Sequence, residues 1–393
     1  MQITEVSSKK TINDFILVHV YCNESNPCFI RPLDNEVNDV FDPSKNKNFN
    51  YGNIKRWVLY EDHKVIGRIA AFTHEKYKNK GTEFPVGGIG FFDCINNQQA
   101  ANLLFDTAAT WLKEAGMQAM DGPINFLDRD KWWGLLVEGF DKEPVYGLSF
   151  NPSYYKGLFE AYGFLDFYSQ YFYRIVVKDP LPPRFEERHA KFKNKPEYTA
   201  RHIDKNNLEK HAEEFATVYN AAWAQHGEAK EISKEQAMKL FQKVKPIIDE
   251  RIIWFAYYKD EPIAMWINLP DLNQYFKHFN GKFEWLQKIY LMWLKYTGAC
   301  KQFAGFAFGV VPKYQALRVD SFMIQESTHV IQKNHIYETL EMGWAGDWNP
   351  KMISVYKNLG GKESRKLITF RKILDPTIIF ERHPILDYSV NKK

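Results

Sequence analysis

Residues 309–321, GVVPKYQALRVDS, form a turn between an apolar segment and an amphipathic one. The preceding segment, Phe303–Val310, is typical of a buried strand, and Ser321–Lys333 has the spacing of a helix. A turn at the start of a helix presents backbone N–H groups and the positive end of the helix dipole, so it can hold a phosphate. This turn lacks the glycines that usually let a backbone approach a phosphate closely. The sequence alone therefore leaves open whether it binds one.

The same order of elements occurs in both halves of the chain. At 393 residues the chain is longer than one hydrophobic core usually serves, which favours two domains. The predicted elements are strands Arg56–Tyr60, Val65–Thr73 and Gly88–Cys94 with helix Asn97–Glu114, then strands Ile252–Tyr258, Pro262–Leu269 and Phe303–Val310, helix Ser321–Lys333 and strand Ile336–Gly343. This recurrence predicts an internal duplication.

A second repeat supports the duplication. Residues 151–164, NPSYYKGLFEAYGF, correspond to residues 349–360, NPKMISVYKNLG. Both segments open with Asn-Pro, which predicts a short helix with proline at its first position, and both end at a glycine. A predicted strand follows each of them, at Ser169–Val177 and at Leu367–Ile373.

The order of elements, with a strand leading into GVVPKYQ and a late Asn-Pro helix bearing Tyr356, resembles the GNAT superfamily of acyl-CoA-dependent N-acyltransferases. In more detail the chain resembles a family of bacterial tandem GNAT-like proteins of poorly defined function. The motifs that carry this resemblance are Gly122–Phe126, Gly134–Phe140, Asn151–Pro152 with Tyr154–Tyr155, Tyr219–Trp223, and Leu269–Asn273. It implies an α/β (α+β) fold of two tandem GNAT-like acyl-CoA N-acyltransferase domains, each a mixed, mostly antiparallel sheet flanked by helices.

A proline-rich break divides the two halves. Asp179–Arg184 contains three prolines, which interrupt helices and strands alike. We therefore predict an N-terminal degenerate GNAT-like domain at 1–180, a linker at 181–189, a C-terminal GNAT-like domain at 190–375 and a tail at 376–393. Basic residues in Arg184–His211 alternate with acidic ones, which favours a solvated connector.

The resemblance implies acyl-CoA as co-substrate. In GNAT enzymes the turn after the fourth strand usually has Gln or Arg, two residues, Gly, one residue, and Gly or Ala, and it holds the pyrophosphate of coenzyme A. Gln315 takes the first place here, but Arg318 and Asp320 stand where small residues belong. The cofactor-binding candidates are Val310, Val311, Gln315, Arg318 and Ser321.

Arg318 and Asp320 leave three alternatives. A carboxylate roughly 5 Å from a phosphate would repel it by about 3 kcal/mol at an effective dielectric of about 20. Arg318 can fold onto the phosphates as a charge-assisted donor, or Asp320 can turn inward and cap the helix at Ser321. Alternatively the segment is a former cofactor loop that now only begins a helix. In the first half Asn96 or Asn97 serves as a helix cap, and we predict no cofactor there.

The resemblance also implies catalytic residues in the second half. Amide formation from a thioester needs a base, a donor to the carbonyl oxygen and an acid for the thiolate. Tyr356 stands at the position of the acid, and its counterpart in the first half, Phe159, cannot donate a proton. A backbone N–H near Val310 or Val311 would be the carbonyl donor.

Glu341 is the preferred base, with Asn349 as a further catalytic candidate. The tandem family usually has Glu, any residue, a small residue and Trp at this place, and the sequence EMGWAGDWN largely conforms. A buried Glu341 beside Trp344 would have a raised pKa suited to a base, whereas the alternative is a solvated glutamate at a strand end.

Three residues are candidates for substrate binding: Trp223, His226 and Trp344. A lone histidine such as His226 at a helix end is alternatively a surface residue. The four cysteines have no metal-ligand spacing, so we predict no metal. A net charge of +4 and scattered basic residues indicate no nucleic-acid partner.

No long apolar run is present in the sequence, which predicts a cytoplasmic protein, with peripheral membrane contact left open. We expect transfer of an acyl group from acyl-CoA to a primary amine of an amino acid, peptide or lipid base, by direct attack. The alternative is a non-catalytic small-molecule or peptide-binding protein that has lost coenzyme A binding. An aminoacyl transferase that draws on charged transfer RNA would need a clear basic surface, which the sequence does not indicate.

Overall fold

A computed structural model describes residues 1–79, 82–223 and 231–385, with the backbone alone at Trp223. The strands are β1 Gln2–Glu5, β2 Gly52–Glu61, β3 Lys64–His74, β4 Val86–Cys94, β5 Ala119–Gly122, β6 Leu135–Glu138, β7 Leu165–Val176, β8 Tyr198–His202, β9 Ile253–Tyr258, β10 Glu261–Pro270, β11 Gln302–Val310, β12 Thr339–Gly346 and β13 Lys362–Ile373. The helices are α1 Lys9–Asn23, α2 Asp34–Val40, α3 Glu75–Lys78, α4 Gln98–Glu114, α5 Tyr155–Tyr162, α6 Arg184–Ala190, α7 Leu208–Trp223, α8 Lys234–Val244, α9 Asn273–Phe276, α10 Trp285–Tyr296, α11 Pro312–Gln315, α12 Val319–Asn334 and α13 Pro350–Asn358. Among these described residues, no helix is both long and apolar enough to cross a bilayer.

Local sequence signals account for the helix and hairpin ends in the first half. The Asn97 side chain accepts hydrogen bonds from the backbone N–H groups of Gln99 and Ala100, so the predicted cap of α4 is confirmed. Gly116 follows α4 with φ +79°, a left-handed conformation that glycine adopts without strain. Asp62 and His63 also have positive φ values, which form the tight turn between β2 and β3.

The two halves share one sheet, which has thirteen strands in the part of the chain that the structure describes. Each half contains three consecutive antiparallel strands followed by one parallel pair, β4 with β5 and β11 with β12. The chain therefore has the predicted mixed α/β architecture, a mostly antiparallel sheet flanked by helices.

The strands that follow the two late helices are exchanged between the halves. Strand β7 from the first half pairs with β12, so that Ile175 lies opposite Leu340. Strand β13 from the second half pairs with β5, so that Phe370 lies opposite Gly122. The exchanged strands β7 and β13 also pair with each other over most of their length. The predicted domain limits remain a prediction, but the sheet of each half contains a strand from the other.

The two Asn-Pro segments differ in a way that the sequence did not indicate. In the second half Pro350 is the first residue of α13, as expected, and Asn349 caps the helix. In the first half α5 begins only at Tyr155, so the expectation of proline at its first position is wrong. The cause is Asn151, whose side chain exchanges hydrogen bonds with the backbone of Leu136 in β6 instead of capping a helix. Gly163 and Gly360 follow the helices, as predicted, and both have positive φ values.

The basic segment after the proline break is partly buried, in contrast to the solvated connector expected from its charges. Its helix α6 packs against α12, where Arg188 donates to the Ser321 hydroxyl and His189 lies 2.5 Å from Glu326. Phe185 of the same helix is buried. The alternating charges of this segment did not indicate that a few of its side chains are buried against α12.

Candidate functional site

Strands β11 and β12 pair over four residues and then separate. Their last parallel pair is Gly305 with Met342. Just beyond it, β11 bulges against β10, and Phe306 is the extra residue, with 59% of its surface exposed. A bulge disrupts the regular hydrogen-bond ladder and turns side chains and backbone groups in new directions. The separated strand ends therefore form an opening in the sheet.

Tyr356 lies at this opening. Its hydroxyl group, on α13, donates a hydrogen bond to the carbonyl oxygen of Gly343, the first residue of β12 beyond the parallel pairing. Burial raises the pKa of Tyr356 above its ordinary value, so the hydroxyl group keeps its proton at neutral pH. A protonated tyrosine at the separation of two strands can donate a proton to a departing thiolate.

Glu341 is fully buried one residue before the opening, which excludes the alternative of a solvated strand-end residue. Its Oε2 accepts a hydrogen bond from Arg174 Nε at 2.6 Å, and its Oε1 accepts one from the Ser364 hydroxyl group. Arg174 belongs to β7 and Ser364 to β13, so both partners come from the exchanged strands. Both carboxylate oxygens of Glu341 are therefore already engaged by side chains of the exchanged strands.

Asn349 and Trp344 have contacts away from the Tyr356 hydroxyl group. The Asn349 side chain accepts a hydrogen bond from the backbone N–H of Met352 at 3.1 Å, which is a helix-capping role. Trp344 packs in a small cluster with Phe172 and Phe150. Tyr356 instead packs on Tyr173 in the main core of the second half, with ring centroids 5.6 Å apart. The structure thus places Trp344 and Tyr356 in different apolar clusters.

The turn after β11 has an unusual backbone. The Val311 N–H is bonded to the Ile263 carbonyl at 2.9 Å, so it is already engaged in the sheet rather than directed at a carbonyl group in the opening. Gln315 Nε2 donates to the carbonyl of Val310 at 3.1 Å, which closes the short helix α11. Arg318 then precedes α12 with φ +61°, in the left-handed region where glycine is favoured.

Asp320 lies in the first turn of α12. Burial raises the pKa of Asp320, against the opposing effects of the Ser321 N–H and of the Arg318 and Arg188 charges. No side-chain hydrogen bond caps α12 at Arg318, so the alternative in which Asp320 caps the helix is not confirmed. Ser321 is fully buried, and its hydroxyl group accepts a hydrogen bond from Arg188 at 3.1 Å. Two arginines, Arg318 and Arg188, and the carboxylate of Asp320 therefore lie close together at the start of α12.

Two substrate-binding candidates cannot be placed. His226 lies outside the described residues, and so does the side chain of Trp223, at the end of α7. In the described ranges 1–79, 82–223 and 231–385, no three His, Cys, Asp or Glu side chains come together in a metal-binding arrangement.

A second opening, which sequence reasoning missed, lies in the first half. Strands β4 and β5 separate after Gly88 and Asp121, and β4 bulges near Phe91, which has φ +50°. A cavity of about 70 Å³ at this place is lined by His19, Asp93, Arg68, two further polar residues and a majority of apolar side chains. It occupies the position that corresponds, by the internal repeat, to the opening beside Tyr356.

His19 and Asp93 form an ordered pair in this cavity. The His19 Nδ1 atom lies 3.0 Å from both oxygens of Asp93, which also accepts hydrogen bonds from Arg68 Nε at 2.6 Å and the Tyr155 hydroxyl at 3.0 Å. Burial alone would raise the pKa of Asp93, but His19 and Arg68 lower it to about 2. An ionised carboxylate on Nδ1 orients the imidazole ring so that Nε2 can act as a base. His19 and Asp93 are 74 residues apart, and no spacing rule joins them.

A smaller cavity of about 20 Å³ adjoins the first one. The two share a wall that includes Ile30, Trp132 and Leu148. The smaller cavity also reaches Tyr146 of the first half and Phe276 of the second. Space beside His19 therefore adjoins a small, more polar cavity at the contact between the halves.

Comparison with known proteins gives relatives along the whole chain. No protein-family profile matches it. The chain is similar to a bacterial ceramide synthase of Caulobacter vibrioides (strain NA1000 / CB15N), at 23% identity over 381 residues that cover 95% of this chain and 98% of the relative. It is also similar to protein YghO of Escherichia coli K12, at 22% identity over 377 residues and 93% of each chain.

Solved structures share the architecture at much lower identity. A tandem GNAT protein from the clavulanic acid biosynthesis pathway matches with a TM-score of 0.53 and 8% identity, over 95% of this chain and 99% of that chain. A GCN5-related N-acetyltransferase from Sphaerobacter thermophilus matches with a TM-score of 0.51 and 11% identity, over 97% and 98% of the two chains. Two whole-chain matches of this kind agree with the duplicated order of strands and helices described above. The chain therefore has the tandem GNAT fold.

Proposed function

We propose that this protein transfers an acyl group from acyl-CoA to the primary amine of a lipid base. The observation that carries the proposal is the Tyr356 hydroxyl group at the separation of β11 and β12, bonded to the Gly343 carbonyl. In the proposed reaction the amine nitrogen attacks the thioester carbonyl carbon and the carbon–sulfur bond breaks. The thiolate takes the Tyr356 proton, and a base takes the proton that the nitrogen loses.

A lipid base is the amine favoured among the alternatives. The whole-length relative from Caulobacter vibrioides is named a bacterial ceramide synthase, and a ceramide is an amide of a long-chain amino alcohol. The cavity next to the His19–Asp93 pair has a mostly apolar lining, which favours an amine with an apolar tail. Amino acids and peptides, which have no long apolar tail, would leave that lining unused.

Acyl-CoA would bind along the turn between β11 and α12. Arg318 and Arg188 at the start of α12 offer positive charge to a pyrophosphate, and the helix dipole adds to it. Asp320 opposes such binding, and the charges of Arg318 and Arg188 offset its carboxylate in part.

Two residues compete for the role of base, and they belong to different openings. Glu341 lies next to the opening that contains Tyr356, but both of its oxygen atoms are engaged by Arg174 and Ser364. His19 lies in the opening of the first half, and its imidazole is oriented by Asp93. If Glu341 is the base, the reaction takes place in the second half beside Tyr356; if His19 is the base, the reaction takes place in the first half and Tyr356 is not its acid.

The experiment compares the purified protein with three variants in the presence of acyl-CoA of several lengths and either a long-chain amino alcohol or a short amine. The amide product is identified by mass spectrometry. We expect product with the long-chain amine, and a loss of turnover in Tyr356→Phe and Glu341→Gln. A loss in His19→Gln with unchanged turnover in Tyr356→Phe would instead assign the reaction to the first half. Activity that survives all three substitutions would refute the site. If no amide forms and calorimetry detects no acyl-CoA binding, a non-catalytic binding protein on this fold is the better interpretation.

A further inference from the structure

The helix α10 has an apolar outer surface with no cover in the described residues. Six of its twelve side chains are large, apolar and more than half exposed: Trp285, Leu286, Ile289, Met292, Trp293 and Tyr296. Met292 is 71% exposed and Tyr296 is 91% exposed. Monomeric soluble proteins rarely expose a continuous apolar surface of this kind unless it meets a membrane or a partner.

The exposed side chains form one face of the helix. At about 100° per residue, the six fall within an arc of roughly 120° on the side away from Leu294. Leu294 is the residue by which α10 is buried in the core of the second half. The helix is therefore attached to the protein along one line and presents tryptophan, tyrosine and aliphatic side chains outward.

We infer that this outer face of α10 docks the protein on the surface of a lipid bilayer that carries anionic headgroups. Tryptophan and tyrosine are the side chains that prefer the boundary between headgroups and acyl chains. At twelve residues the helix spans about 18 Å, too short to cross a bilayer but suited to lying in its surface.

The charges around α10 favour an anionic lipid surface as the binding partner of its outer face. Lys288 and Lys295 lie together on one flank of the apolar arc, and residues 272–300 contain four lysines but only one acidic residue, Glu284. The Lys295 ammonium group donates to the carbonyl of Pro246, which holds it at the edge of the helix. Basic side chains beside a buried apolar face attract anionic lipid. A protein partner would not by itself require this combination of interfacial aromatics and lysines.

The outer face is also continuous with the apolar interior. The ring of Tyr290 on α10 lies 6.0 Å from that of Phe279, and Phe279 lies 5.7 Å from Phe276. Phe276 lines the smaller cavity between the two halves. A lipid that leaves the bilayer at α10 would meet aromatic side chains along this path.

Vesicle sedimentation tests the inference without any assay of catalysis, so that its failure is distinguishable from failure of the proposed acyl transfer. The full-length protein is mixed with vesicles of phosphatidylcholine alone or with added phosphatidylglycerol. The triple variant Ile289→Ser, Met292→Ser, Trp293→Ser removes exposed side chains only. The matched control Tyr21→Ser, Leu240→Ser removes apolar side chains that are exposed elsewhere on the protein.

We expect the wild type and the control to sediment with anionic vesicles, and the triple variant to lose about tenfold or more in vesicle partitioning. Lys288→Gln should lose about fivefold on anionic vesicles and nothing on neutral ones. In addition, brominated phospholipids should quench the tryptophan fluorescence of the wild type. A wild type that stays in the supernatant with both kinds of vesicle overturns the inference.

Analytical ultracentrifugation without lipid separates the remaining alternative, a second copy of this chain. If the wild type is a dimer, the triple variant a monomer, and neither binds vesicles, the outer face of α10 is a contact between copies and the membrane inference is wrong. A wild type that sediments with vesicles and has the same oligomeric state as the triple variant supports it.

Discussion

Arg174 and Glu341 join the two exchanged parts of the sheet through an ion pair of 2.6 Å between Nε and Oε2. Arg174 comes from β7 of the first half, and Glu341 from β12 of the second. The carboxylate is fully buried, whereas the guanidinium group is 24% exposed. This pair therefore couples the stability of the connection between the halves to the position of the proposed base.

Removal of Arg174 tests that coupling. In Arg174→Met a buried carboxylate loses its charged partner, and we expect the free energy of unfolding to fall by about 3 kcal/mol. Urea denaturation measures the change. Lys45→Met, which breaks an exposed pair with Asp39, is the control and should have no measurable effect. An unchanged midpoint in Arg174→Met would mean that Glu341 is satisfied without the arginine.

The hydroxyl group of Tyr356 can be removed with little change in packing. Tyr356→Phe loses one hydrogen bond to the Gly343 carbonyl, which should cost about 1 kcal/mol of stability. If the hydroxyl group is the acid, kcat should fall by about a hundredfold or more. Tyr173→Phe, whose ring lies beside that of Tyr356, is the matched control and should retain activity. Equal losses in both variants would indicate a packing effect rather than proton transfer.

Two substitutions of Arg318 separate its backbone strain from its charge. Because φ is +61°, Arg318→Gly should stabilise the protein by about 1 kcal/mol relative to Arg318→Ala. If the guanidinium group binds the phosphates of acyl-CoA, both variants should weaken binding in calorimetry. If the side chain instead blocks the backbone, Arg318→Gly should bind acyl-CoA more tightly than the wild type, and the arginine has no binding role.

Replacement of His19 should change the pH at which the protein unfolds in acid. The pKa of Asp93 is lowered to about 2, below the ordinary value near 4, because His19 and Arg68 outweigh the effect of burial. The stability that this carboxylate contributes is therefore present above about pH 4 and is lost as the pH falls toward 2.

In His19→Gln one cause of the low pKa is removed, so acid unfolding should begin at a higher pH, as measured by circular dichroism. His278→Gln, at an exposed position, is the control and should not change the pH at which acid unfolding begins. If acid unfolding of His19→Gln begins at the same pH as that of the wild type, Arg68 alone determines the pKa of Asp93.

The local elements of this fold follow from the sequence, but the pairing of its exchanged strands does not. Alternating apolar residues predict β3 and β11, and Asn97 and Gly116 mark the ends of α4, because these signals act within a few residues. Strands β7 and β13 have similar patterns and follow similar helices. The alternation of apolar and polar residues along these strands does not indicate which half each strand joins, because either half would bury the same face of the strand.

The same limit applies to the candidate site. The helix that carries Tyr356 is predicted correctly, because Asn349-Pro350 before it and a glycine after it are local signals, whereas the catalytic role of Tyr356 stays a prediction. The partners of Glu341 could not be foreseen, because Arg174 and Ser364 reach it only through the strand exchange. The cavity beside His19 was missed for a related reason, since its polar residues come from a helix and a strand that are distant in sequence.

The position of β13 in the sheet has a consequence for synthesis on the ribosome. This strand lies between β5 and β7, yet it is the last strand of the sheet to be translated. While residues 180–361 are being made, the first half lacks a central strand, and the backbone groups of β5 that will pair with β13 remain unpaired. We therefore expect the sheet of the N-terminal half to be completed only after residues 362–373 have left the exit tunnel.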